Sequence, residues 1–175
     1  MGSTNKGAIV IEVDNATTHA NEVSAGGIIG IACLQLRLAN NTNEGSVTIV
    51  NKAAGGVHAG GIMGSWVKAT SLEMSGNVNK GAVSATTSDN AKASAGGVIG
   101  LNDVAATITL DKNIASVTCG RAEATGSIAG INKGTLENCI AGGSVNGTAV
   151  TASNLESLTQ GSVSTGKANG TTLAQ

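Results

Sequence analysis

Apolar and polar residues alternate in short runs along this chain. Leu34-Gln35-Leu36-Arg37-Leu38 sets three leucines on one side and Gln and Arg on the other. Leu72-Glu73-Met74 and Thr107-Ile108-Thr109-Leu110 repeat the pattern, and Ile9-Val10-Ile11-Glu12-Val13 and Val47-Thr48-Ile49 carry it elsewhere. A period of two is that of a half-buried strand. No stretch sustains the 3.6-residue period of an amphipathic helix.

The strands belong to a repeat. Ala25-Gly26-Gly27-Ile28-Ile29-Gly30 returns as Ala59-Gly60-Gly61-Ile62-Met63-Gly64 and as Ala95-Gly96-Gly97-Val98-Ile99-Gly100. A worn copy is Thr125-Gly126-Ser127-Ile128-Ala129-Gly130. A second element, a Gly or Ala, a small residue and then Val or Ile, ends at Ile9, Val47, Val83, Val117, Val145 and Val163. The steps between those ends are 38, 36, 34, 28 and 18 residues. Much of the shortening falls between the second element and the next Ala-Gly-Gly, which marks one corner whose loop shrinks toward the C-terminus. Insertions gathered at one corner are what a solenoid tolerates.

The expected fold is therefore all-β, a parallel β-helix of about five three-strand coils. It forms a single domain over residues 1–175, or a piece of a longer array. Ile28, Ile62, Val98 and Ile128 are expected to point inward from one face, and the Val/Ile series from another. Asn stands four residues before the Val/Ile at Asn5, Asn43, Asn79 and Asn113. Stacked amides at a turn can bond from coil to coil. Ala141 and Thr159 hold that place in the last two copies, so the ladder is expected to end before them.

Composition narrows the roles. The chain has no Phe, no Tyr, no Pro and one Trp, with 26 Gly, so the interior is built from small aliphatics. Ten basic and eleven acidic residues without a charged run give no footprint for nucleic acid. No apolar run approaches the ~20 residues that span a bilayer, and the N-terminal residues lack the apolar stretch of a signal peptide. Cys33, Cys119 and Cys139 are odd in number and fit no zinc spacing. They read as buried thiols, with a Cys119–Cys139 bridge left open.

Residues 130–147 resemble the GLUG repeat of bacterial surface and secreted proteins, whose pattern is G-x-N-x-G-x-I-x-N-C-x-A-x-G-x-V. The matching positions are Gly130, Asn132, Gly134, Leu136, Asn138, Cys139, Ala141, Gly143 and Val145. Ile140 stands where the family usually has an aromatic residue. The resemblance is close over about one coil and implies a β-solenoid region of an exported bacterial protein.

Chemistry finds few footholds. Gly161-Ser162-Val163-Ser164-Thr165-Gly166-Lys167 copies most of a phosphate-binding loop, but Ala168 replaces the metal-binding hydroxyl. The acids show no paired-carboxylate arrangement for glycoside hydrolysis. No catalytic residue, metal or cofactor is expected. Candidate ligand contacts are Trp66, His19 and His58, the histidines being placed in the variable corner (Asp14 to Val23, Asn51 to His58, Thr86 to Ser94). The expected role is a non-enzymatic adhesive module at a bacterial cell surface or outside the cell. Its partners would be a protein or glycan, and neighbouring repeats or a second copy at its open ends. A carbohydrate-binding or carbohydrate-active β-helix is the alternative.

Overall fold

The computed structural model describes residues 2–14, 22–33, 35–68 and 72–175. The first coil carries β1 (Thr4–Asn5), β2 (Ile9–Val13), β3 (Val23–Gly26), β4 (Ile29–Ala32) and β5 (Leu36–Ala39). Later coils lay their equivalents on these in parallel, building sheets of six, four, four and five strands on β1, β3, β4 and β5 and five parallel strands plus one antiparallel strand on β2. The chain is a β-solenoid of about five coils. Register follows the repeat: Asn5 pairs with Asn43, Asn43 with Asn79, and Val47 lies between Ile9 and Val83.

Each of the first four coils has five short strands where the sequence pattern suggested three. The Ala-Gly-Gly-Ile element bends at its Gly-Gly pair into two strands, and the Asn turn forms a two-residue ladder of its own. The bend doubles β4 back onto β3. A Cβ on Gly26 would strike the Ile29 carbonyl, and one on Gly64 or Gly100 would strike the backbone of Ala25 or Ala59. Glycine in this motif thus serves close backbone approach between two layers.

That double layer divides the interior. The expected inward columns fall into two separate cores. Val47, Ile49, Val83 and Val117 pack with Val57, Ala59 and Ala95 between the β2 and β3 sheets. Ile62, Val98 and Ile128 join Met63, Ile99, Met74, Ile108 and Leu136 on the other side of the double layer. Trp66 is 1% exposed in this second core.

A left-handed residue ends every strand of the β5 sheet: Asn40, Gly76, Leu110, Asn138 and Gly170 have φ of 58°, 66°, 56°, 52° and 62°. Gly and Asn suit this conformation, and Leu110 is the misfit.

The C-terminal end differs from the expected sixth copy. Val163 joins no sheet, its N–H donating to Glu123 O at 3.1 Å, and it is 36% exposed. The 18 residues from Val145 instead fold over the stack end. Thr148–Ala149 turns back antiparallel on Ser144–Val145, and helix α1 (Leu155–Thr159) covers the last β3- and β4-sheet strands. Ser127 N donates to Leu158 O at 2.7 Å and Ile128 N to Thr159 O at 2.9 Å. Lys167–Asn169 and Thr172–Leu173 then add final strands to the β5 and β1 sheets.

Candidate functional site

A groove of ≈ 280 Å³ opens at the variable corner, lined by Glu22, Gly56, His58, Lys92, Arg121 and Ile131. Successive corners build it. Asp89 caps the short turn Asn90–Lys92 by accepting from Ala91 N at 3.2 Å, and Lys92 Nζ reaches back to Ala54 O at 3.1 Å. One coil on, an Arg121 guanidinium N–H donates to Ala91 O at 2.7 Å while its Nε–H donates to Glu123 at 3.0 Å. The long side chains therefore stitch corner to corner, and both line the groove together with Glu22.

His58 is not in the loop. The strand begins one residue earlier, at Val57, and His58 is buried in it, 6% exposed, with Nδ1 held 2.8 Å from Ser94 Oγ. It faces the double layer, in a column with Ser24, which bonds Ser65 Oγ at 2.8 Å. Burial lowers the imidazole pKa, against the pull of Glu22 and Asp103. The shift favours the neutral ring, with Nδ1 committed to Ser94 Oγ. Trp66 lies in the core and offers no open ring face. His19 lies outside the described residues. Cys33 is exposed and lines a different groove, with Ile29, Ile31, Ala32, Gln35 and Leu36. All three cysteines are free, so Cys119 and Cys139 are not bridged. Burial pushes the Cys139 thiol up to about 12, which makes it inert as a nucleophile.

Glu22 is the one carboxylate among the described residues that line the corner groove. It can accept hydrogen bonds, Lys92 and Arg121 can donate them, and His58 can do either. The stretch from Gly161 leads into the strand Lys167–Asn169, not into a helix, so its backbone forms no phosphate cradle.

Most other buried polar groups serve columns along the stack. Asn5, Asn43 and Asn79 each donate from Nδ2 to the Oδ1 of the next Asn at 2.8 Å, ending on Asn113. Two residues earlier runs a column the sequence reading missed. Asn41 Nδ2 donates to Asn77 Oδ1 at 2.8 Å, and Asn77 donates to Asp111 from its backbone N at 2.7 Å and its Nδ2 at 3.1 Å. Asp111 is fully buried, and burial raises its pKa to about 7 against the opposing Asn77 bonds. In a third column Asn102 donates to Asn132 and Asn132 to Gln160, at 2.8 and 2.9 Å. Trp66 stands one coil before Asn102, and the buried Trp66 Nε1 and Asn102 Oδ1 have no partner among the described residues. An Asn-x-Asn spacing at 41/43 and 77/79 was the available sign of the second column; Asp111 broke the spelling.

No protein-family model matches the sequence, and comparison with curated proteins and with solved structures gives no significant match.

Proposed function

We propose that this chain is a non-enzymatic structural and adhesive module of an exported or surface-displayed bacterial protein, with a GLUG-type repeat, and that its variable corner meets a protein or glycan partner. The observation that supports this reading is the division of labour among polar groups. Those inside the stack are largely committed to one another, coil to coil. The corner groove gathers Glu22, His58, Lys92 and Arg121 where loop length varies and the stack beneath stays fixed.

A glycan array and a cell-adhesion assay test it, with Arg121→Ala as the control. The expected result is saturable binding that falls at least ~10-fold in the variant, a loss of about 1.4 kcal/mol, without hydrolysis. Reducing-sugar release that disappears in Glu22→Gln would replace the adhesive reading with the carbohydrate-active one.

A further inference from the structure

The two ends of the stack are finished differently. Toward the C-terminus, the antiparallel strand Thr148–Ala149 and helix α1 close three of the five sheets. Toward the N-terminus β1 to β5 are all edge strands, and among the described residues nothing pairs with their outer side. The cores are cut open there as well. Ile9, Ile11, Ile28 and Ile29 are partly exposed, while Val47, Ile49, Ile62 and Met63, their counterparts one coil on, are 0% exposed.

Two columns of glycine show what this face fits. Gly45 and Gly81 lie directly against the carbonyl of the Gly one coil before them, so that a Cβ on either would fall on Gly7 O or Gly45 O. Ala115 holds the next place, so the position takes at most a methyl in a stacked coil. Gly7 has the same residue at the same register, with no positive φ. The nearest atom to a Cβ there is its own neighbour Asn5 Oδ1, at 3.8 Å. The second column repeats the relation. Gly64, Gly100 and Gly130 meet the carbonyls of Gly30, Gly64 and Gly100, while a Cβ on Gly30 would meet only Ser24 O of its own coil, at 3.1 Å. Glycine at 7 leaves room for a carbonyl oxygen that no described residue supplies, and Gly30 keeps the same register position at the head of the second column.

The amide column agrees. The Oδ1 atoms of Asn43, Asn79 and Asn113 each accept from the Nδ2 of the coil before. Among the described residues Asn5 Oδ1 accepts only from Gly7 N, at 3.2 Å. The groove of ≈ 280 Å³ over Ile29, Ile31 and Leu36 opens at the same end.

We infer that the N-terminal face is a docking surface for one further β-coil of the same repeat, stacked in parallel register. Its Asn donates to Asn5 Oδ1, and its turn carbonyls sit over Gly7 and Gly30. A second copy of this chain is a poorer occupant. Its own N-terminal face presents the same acceptor, Asn5 Oδ1, and its other end is largely closed. The inference does not depend on what the corner loops bind.

The test extends the chain with its own repeat. A duplicate of residues 43–78 is placed directly before Asn5, with and without Gly7→Val, and the unextended chain is made with and without the same substitution. The added coil is expected to raise the denaturant midpoint and to resist proteolysis. Gly7→Val is expected to abolish both gains while leaving the unextended chain unchanged, because its Cβ there meets open space. An added coil that stays protease-sensitive would overturn the inference. So would a gain that survives Gly7→Val, or a loss of stability from Gly7→Val as large in the unextended chain as in the extended one. Sedimentation of the unextended chain completes the test: a dimer in dilute solution broken by Gly7→Val would assign the face to a second copy instead.

Discussion

Two polar columns climb the same corner of the stack, two residues apart, and they end in different chemistry. In the column of Asn5, Asn43, Asn79 and Asn113, each inner amide accepts from the coil before and donates to the coil after. An amide has both functions and no charge, so it can hand the pattern on from coil to coil. Its neighbour starts in the same way with Asn41 and Asn77, then meets Asp111. An ionised carboxylate only accepts. Asn77 serves it with two N–H groups, and Asp111 has nothing to donate to the next coil, where the Cys139 thiol donates to Ile108 O at 3.6 Å. The replacement of one NH2 by one oxygen turns a pH-indifferent scaffold into a titrating one. A ladder of amides needs no neutralising partner, whereas a buried carboxylate without a cation is held near the edge of ionisation.

The largest expected effect exploits that difference. Asp111 has a folded pKa of about 7 against an ordinary value of 3.8, raised by burial. The native state holds the proton more tightly than the unfolded chain. Its stabilising contribution is therefore complete below pH ~4 and is lost as pH rises through about 7. A gap of about three units corresponds to roughly 4 kcal/mol at most. Asp111→Asn should match the wild type at pH 3.5, exceed it by roughly 2–4 kcal/mol at pH 8, and flatten the profile between. Urea denaturation across that range measures it. If the two proteins run parallel from pH 4 to 8, Asp111 is solvated and the contrast between the columns disappears.

The all-amide column is tested by cutting it in the middle and at its end. Asn79 is fully buried, donates to Asn113 and Gly81 O, and accepts from Asn43 and Gly81 N. Asn79→Ala leaves buried partners unpaired and opens a small void, at a cost of about 3 kcal/mol. Asn5, at the exposed end, should lose less than about 1 kcal/mol on the same change, because water replaces its partners. Both losses should be independent of pH between 4 and 8. Equal losses at the two sites would show that the column does not act as a continuous buried chain of bonds.

The stacking itself was legible because it is spelled by equivalent residues at equivalent places. Asn before Val/Ile and glycine in the Ala-Gly-Gly element both recur in register. What escaped was anything in which local spelling and three-dimensional role part company. Gly161-Ser162-Val163 repeats the strand motif, yet 18 residues cannot run round five strands, so this copy belongs to the end cover. His58 looked like part of a loop insertion because it lies between two motifs, but the strand starts before it and buries it. The doubling back of β4 on β3 was hidden because alternation reports that a strand has two faces, not what covers each. Of the candidate contacts, His58 reaches the corner groove and Trp66 does not. Glu22, Lys92 and Arg121 carried no motif; only the superposition of consecutive corners brings them together.

The smallest effect sharpens the comparison at the bend that leads into the second column. Asn41, Asn77 and Asp111 each follow a left-handed residue, respectively Asn40, Gly76 and Leu110. Asn and Gly take that conformation readily, whereas a leucine there costs about 1 kcal/mol through its Cβ. The Leu110 side chain is 60% exposed, so little packing is lost on replacing it. Leu110→Asn should therefore raise stability by roughly 0.5–1 kcal/mol, and by the same amount at pH 4 as at pH 8, since it relieves backbone strain and leaves the carboxylate in place. A gain confined to high pH would mean that Leu110 acts by shielding Asp111 from water, which would make the bend part of the titrating device and not merely its hinge.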